Sequence, residues 1–218
     1  MVFKLIREIV KGNIELQELS SDIRDMYKIS REMYKDVWIA ILTRDKELVQ
    51  RVLKRDDEVN AKEVKIRENS LKYVATSMVP VDVTIAFSMI DLASLLESMA
   101  DYVCVLAKMR IGGRIRYEKG EKYSEILEKA NQIIADMFDN ALDALEKEDR
   151  KRAKKVVKQY DDVLNLQKEL MEKIDKDEKI AAGRAGGLVM AMNSFARIGR
   201  KLSLVAGSVL KPYPMLRH

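Results

Sequence analysis

Only three prolines interrupt this chain of 218 residues, and none lies between Pro80 and Pro212. Proline is the residue that most reliably ends or kinks a helix, because it lacks the backbone donor and crowds the preceding turn. With nine glycines in all, little else forbids long helices. Apolar residues recur with helical spacing, and no window alternates like a strand between turn residues. A short N-terminal helix is expected, followed by long helices at 17–43, 45–76 and 81–110 and by a second set at 121–147, 149–176 and 178–210. The breaks fall at Thr43-Arg44-Asp45, Met78-Val79-Pro80, Gly112-Gly113 with Gly120, Lys147-Glu148-Asp149 and Asp175-Lys176-Asp177. At about 1.5 Å per residue such helices run roughly 40 to 48 Å, a length suited to antiparallel bundles.

The two sets read as copies of one unit. Ala40-Ile41-Leu42-Thr43-Arg44-Asp45 matches Ala144-Leu145-Glu146-Lys147-Glu148-Asp149, and Asp56-Asp57-Glu58-Val59-Asn60 matches Asp161-Asp162-Val163-Leu164-Asn165. Leu96-Glu97-Ser98-Met99-Ala100-Asp101 matches Phe195-Ala196-Arg197-Ile198-Gly199-Arg200. Three matches in the same order, the last at a smaller offset, predict an all-α protein of two tandem antiparallel three-helix bundles, at residues 1–112 and 113–218, with a shorter second hairpin.

Composition narrows the class. Hydrophobic residues make up 47% and charged residues 34%, a globular and not a disordered profile. The formal charge of +5 does not by itself indicate nucleic acid. The single cysteine, Cys104, excludes a disulfide framework and is expected to be a small buried hydrophobe. Residues 1–12 lack an apolar signal-peptide core, and residues 83–107, though long enough to cross a bilayer, carry Asp91, Glu97 and Asp101. Burial among protein helices and a cytoplasmic location follow as expectations. The only histidine is His218, which leaves Cys-His and Ser-His pairs without a base and excludes Glu-x-x-His metal ligation. No enzyme chemistry is expected.

One pair of residues asks for a partner. Glu97 and Asp101 lie four apart, on one face of the most apolar helix, with no basic residue one turn away. Burial and mutual repulsion both penalise their charged forms unless a cation intervenes. That cation is either a metal ion or a Lys or Arg from another helix. The third helix of the second copy inverts the charge, with Ala196 and Arg200 at the equivalent positions and no acidic residue anywhere in 179–218. Arg200 is expected to face Asp161 or Asp162 as a structural counter-ion. Met26, Met33 and Met137, with Tyr27, Tyr34 and Phe138, are expected in the core. The helical spacing of Ala182, Gly183, Gly186 and Gly187 permits close packing.

Duplicated three-helix units, Asp56 with Asn60 on a middle helix, Glu97 with Asp101 on a third, and Arg197-Ile198-Gly199 in the second copy together resemble the PhoU family of phosphate-uptake regulators. The resemblance spans about residues 17–210. It implies a non-enzymatic regulator of inorganic phosphate uptake and a metal ion or cluster held by Asp56, Asn60, Glu97 and Asp101 in the first copy alone. Iron is the foremost candidate, with zinc, manganese and magnesium as alternatives. It also implies partners: the ATP-binding subunit or permease of a phosphate transporter, a sensor kinase, and a second copy in a homodimer. The rival expectation is a helical scaffold or metal-binding bundle unrelated to phosphate.

Overall fold

The computed structural model describes residues 13–76 and 80–210, with side chains of the third helix described from residue 83 onward. Six helices follow in order: α1 Ile14–Thr43, α2 Lys46–Thr76, α3 Pro80–Ile111, α4 Lys122–Lys147, α5 Arg150–Asp175 and α6 Ala182–Gly207. Among the described residues there is no strand. Helices α1, α2 and α3 pack on one another, as do α4, α5 and α6, and α3 packs against α6 to join the two bundles. The architecture is therefore two tandem three-helix bundles. The expected N-terminal helix lies outside the described residues.

Local chemistry sets the helix boundaries. α1 ends where Arg44 turns left-handed at φ 64°, its N–H donating to the Ala40 carbonyl. Asp45 then opens α2, its Oδ1 accepting from the backbone N–H of Glu47 at 2.8 Å and of Leu48 at 3.1 Å. The second unit repeats the device: Glu148 is left-handed at φ 51°, and Asp149 accepts from Lys151 and Arg152. The last helix starts at Ala182 and not at 178. Here the Asp177 carboxylate accepts from Lys122 Nζ and Tyr123 Oη, both at 2.6 Å, and from the Lys179 N–H at 3.1 Å, which ties residues 176–181 into turns against the start of α4.

Burial shows the register of the repeat. On α2, Val49, Val52, Val59 and Ile66 are buried; on α5 the buried row is Ala153, Val156, Val163 and Leu170, each 104 residues further on (49 and 153 through 66 and 170). The same spacing relates α1 to α4, as in Met33 and Met137 or Tyr34 and Phe138. Helices α3 and α6 are related by 99, as in Leu96 and Phe195 or Met99 and Ile198. The missing five residues match the lengths of α2 and α5, 31 and 26 residues.

The bundles share core. Tyr34 of α1 stacks against Phe138 of α4 and edge-on to Phe195 of α6, and Tyr27 donates its hydroxyl to the Phe138 carbonyl at 2.5 Å. Arg24 pairs with Glu146, and Arg31 with Asp139, across the same seam. Gly187 permits the closest approach: a Cβ there would lie 2.1 Å from the Arg114 carbonyl oxygen, so only glycine lets α6 seat against the segment following α3.

Candidate functional site

α3 passes through the middle of this assembly, which explains its apolar sequence. Residues 83–111 have the length and hydropathy to cross a membrane, yet the helix packs against α1, α2 and α6. Glu97 and Asp101 fall on the side of α3 that meets α2. There they are joined by Asp56, which occupies a position in the inward-facing row of α2 between Val52 and Val59. Glu63, one heptad beyond Asp56 on the same face, completes the group and pairs with Arg67. Asn60 is exposed and makes no hydrogen bond to any of them. The structure thus brings together three of the four expected side chains and adds one, Glu63, that the sequence reading missed. Its signal was the seven-residue spacing from Asp56.

The electrostatics of the group follow from burial and repulsion. Desolvation pushes the Glu97 carboxyl above the usual carboxylate range, and the charges of Asp101, Glu63 and Asp56 push the same way. Ser98 Oγ, 3.4 Å from Glu97 Oε2, pulls only weakly against them. Asp101 is raised by burial and by Asp56, with Lys108 opposing. Cys104 lies one turn beyond Asp101 and is 2% exposed. Its thiol is pushed up to about 12, chiefly by burial and then by the nearby charge on Asp56. Asp56 Oδ1 is buried without a hydrogen-bond partner. A concentration of negative charge with an unsatisfied oxygen at its centre is chemically suited to a hard cation. Among the described residues, however, no three His, Cys, Asp or Glu side chains converge tightly enough to hold an ion as they stand. A cation would have to draw the carboxylates inward.

The equivalent place in the second unit is filled differently. With α2 and α5 related by 104 residues, the counterpart of Asp56 is Tyr160, and that of Glu63 is Gln167. With α3 and α6 related by 99, Glu97, Asp101 and Cys104 correspond to Ala196, Arg200 and Ser203. Contacts agree with this pairing: a Cβ on Gly199, the counterpart of Ala100, would lie 3.4 Å from Tyr160 Cδ2 and 3.0 Å from Ile134 Cδ1. The expected contact between Arg200 and Asp161 or Asp162 is accordingly absent. Asp161 sits one residue past the inward row and is exposed, and Asp162 and Asn165 line a groove against Lys129 and Gln132 of α4. The match of Asp56 to Asp161 followed identical letters at an offset of 105, and the packing runs at 104.

A basic row adjoins the acidic group. Arg197 and Arg200 are exposed, and Lys201 is half-buried between them and α3. Burial and the two arginines depress the Lys201 ammonium below its usual range, and Glu97 across the α3–α6 seam opposes them. The Glu97 charge therefore reaches a cation on another helix, but Glu97 and Lys201 form no ion pair.

Comparison with known proteins places this arrangement. The PhoU domain family matches residues 23–109 and 127–209, one match on each bundle. A curated relative, the phosphate-specific transport system accessory protein PhoU homolog of Clostridium acetobutylicum, is 22% identical over 204 residues, covering 90% of this chain and 91% of that protein. The crystal structure of the phosphate transport system regulatory protein PhoU from Streptococcus pneumoniae superposes with a TM-score of 0.76 at 16% identity, over 90% of this chain and 94% of the other. PhoU from Pseudomonas aeruginosa gives a TM-score of 0.74 at 24% identity, over 91% and 96%. A family match on each of two bundles, in the order and at the spacing of the repeat, leads to one conclusion: the chain belongs to the PhoU family.

Proposed function

We propose that this chain is a non-enzymatic regulator or adaptor of inorganic phosphate uptake, acting in the cytoplasm on a phosphate transporter. The observation that carries the reading is the duplicated PhoU domain over both bundles, together with a relative, matched over 91% of its length, named for the phosphate-specific transport system. The helical surfaces and the lack of any histidine before His218 support an adaptor over a catalyst. The partners would be the transporter's ATP-binding subunit or permease, and a sensor kinase. Deletion of the gene tests this directly. Cells without the protein should fail to restrain phosphate uptake in phosphate-rich medium, and the wild-type chain should restore restraint. Uptake that is unchanged by deletion at both high and low phosphate would overturn the reading.

A metal ion in the first bundle is part of the same proposal. Asp56, Glu97 and Asp101 would hold it, with Asn60 and Glu63 at its edge, and the chemistry of an all-oxygen donor set favours iron, manganese or magnesium over a thiolate-type zinc site. Support comes from the raised Glu97 and Asp101 carboxyls and the unpartnered Asp56 oxygen. Metal analysis of purified protein should show stoichiometric metal that is lost in the Glu97→Ala, Asp101→Ala double variant while helicity is retained.

A further inference from the structure

We propose that the outer side of α5 and α6 docks on an anionic lipid surface, with Lys151, Lys154, Lys158, Arg197, Arg200 and Lys201 set among the phosphate headgroups. The sequence concentrates base here. Residues 150–160 and 179–210 hold eleven Lys and Arg and no Asp or Glu. With 35 acids in 218 residues, a stretch of that combined length would ordinarily hold about seven. Packing then gathers the charge. Helices α5 and α6 run antiparallel, since Tyr160 lies beside Gly199 and Arg150 donates to the Val209 carbonyl at 3.1 Å. The basic first half of α5 is therefore laid along the second half of α6, and the six side chains fall within about 20 Å along the helix axes.

Their direction follows by elimination. On α5, Ala153, Val156 and Val163 are buried, while Arg152, Lys155 and Gln159 turn to α4, where Arg152 pairs with Asp143 and both Lys155 and Gln159 reach Asp136 at 2.7 Å. Lys151, Lys154 and Lys158 take the side that remains, spaced three and four apart, and all three are exposed. On α6, Arg197 and Arg200 are exposed and Lys201 is half-buried. No ion pair reaches any of the six among the described residues, although Arg152, Lys155 and Arg184 beside them each have one. Burial and the two arginines hold the Lys201 ammonium below its usual range, with Glu97 opposing. Cations gathered without a counter-ion repel one another, and a partner carrying many negative charges relieves them all.

The surroundings favour headgroups over other polyanions. Among the described residues, none of the exposed large apolar side chains falls in 150–160 or 197–209, and the groove lined by Lys129, Asp162 and Asn165 lies between α4 and α5, away from the six. The rows thus offer dense charge with neither an apolar anchor nor an exposed aromatic platform on which bases could stack. An array of lipid phosphates is flat, laterally mobile and indifferent to exact spacing, and a basic cluster of this size is what holds helices on it. Glu97 and Asp101 lie across the α3–α6 seam, so repulsion from the same headgroups tips the chain onto its α5 edge. This inference rests on the charge pattern and on neither the phosphate nor the metal reading.

The test is co-sedimentation of the full chain, in chelator, with vesicles of one part phosphatidylglycerol to two parts phosphatidylcholine. Wild-type protein should bind at about 0.05 M salt, be released at about 0.5 M, and ignore pure phosphatidylcholine. Each basic side chain near the surface contributes about five-fold in affinity, so Lys151→Gln with Lys154→Gln and Lys158→Gln should weaken binding about 100-fold, and Arg197→Gln with Arg200→Gln about 25-fold. Circular dichroism should match wild type in both, and the two variants lie on different helices, so each reads the face independently. A control of equal charge change in the first bundle, Lys35→Gln with Lys54→Gln and Lys72→Gln, should bind within about three-fold of wild type. Absence of vesicle binding at low salt, variants of the face that bind as well as wild type, or a control that loses as much as they do would each overturn the proposal. A chain that passes over the vesicles and is retained by duplex DNA through the same residues would overturn it too and assign the face to nucleic acid.

Discussion

Two glycines next to each other in α6 should respond to the same substitution with opposite signs. Replacing Gly187 by Ala puts a methyl group 2.1 Å from the Arg114 carbonyl oxygen and 3.0 Å from its carbon. Both partners are backbone, so relief requires a movement of about 1 Å by α6 or by the segment after α3. That segment is held: Arg184 donates to the Arg116 carbonyl at 2.7 Å and to Glu121 at 3.2 Å. Overpacking of this kind costs about 2–3 kcal/mol, offset by about 1 kcal/mol from the better helix propensity of alanine. The net loss is about 1–2 kcal/mol, or a fall in Tm of roughly 3–6 °C for a chain of this size. Gly186 is exposed, with no atom within 4 Å of its would-be Cβ, so Gly186→Ala collects only the propensity term and should stabilise by about 1 kcal/mol. Urea unfolding of the two variants beside wild type decides the matter. A Gly187→Ala protein no less stable than wild type would refute the claim that this contact seats the second bundle on the first.

Tyr34 is fully enclosed and its hydroxyl has no partner, so Tyr34→Phe should raise stability by about 1 kcal/mol in the same assay. Glu97 and Asp101 have folded-state pKa values above their unfolded ones, which means that wild-type stability falls as pH rises through them; Glu97→Gln with Asp101→Asn should therefore stabilise metal-free protein by about 0.5 kcal/mol near pH 7, with the gain vanishing by about pH 3. Asp177 behaves oppositely. The Lys122 and Tyr123 hydrogen bonds hold its carboxyl down to about 2, so it contributes stability above the ordinary carboxylate range that is lost as pH falls toward 2, and Asp177→Asn should be less stable than wild type at pH 7 and equal to it near pH 2. Grafting the first bundle's site into the second should require Tyr160→Asp as well as Ala196→Glu and Arg200→Asp; calorimetric metal titration should show a gain only when all three are present, and binding by the latter two alone would refute the register.

The helices, their caps and their duplication were legible because each rests on short-range chemistry. Few breakers leave long periodic segments, and the Arg44-Asp45 and Glu148-Asp149 turns sit at identical places in the two copies. The expected core residues Met26, Met33, Tyr27, Tyr34, Met137 and Phe138 are all buried. The site was less legible. Matching Asp-Asn letters drew the middle helices together one residue out of register, which on a helix is a rotation of about 100° and carries a side chain from the packed face to solvent. The apolar row Val52, Val59, Ile66 against Val156, Val163, Leu170 held the correct answer, because packing and not letter identity fixes which face turns inward. Glu63 was hidden among 35 acidic residues, and the late start of α6 depended on Asp177 reaching a helix distant in sequence.

The corrected register changes what the asymmetry between the bundles means. Had Asp161 faced Arg200, the second unit would hold a neutral, internally satisfied version of the first unit's site, and Arg200 would be a structural counter-ion with nothing left to offer. With Tyr160 at that place, an aromatic ring packed beside Gly199 occupies the space where Asp56 projects a carboxylate, and Arg200 is left exposed with its charge available. The first bundle therefore carries uncompensated acid and the second uncompensated base, at positions that the repeat makes equivalent. Each imbalance costs stability in the isolated chain, since a half-buried Glu97 carboxylate without a cation and a half-buried lysine beside two arginines both lose solvation without gaining a partner. Such strain is relieved by binding. A cation among Asp56, Glu97 and Asp101 would relieve only the acidic half, and the exposed arginines of α6 would keep their charge.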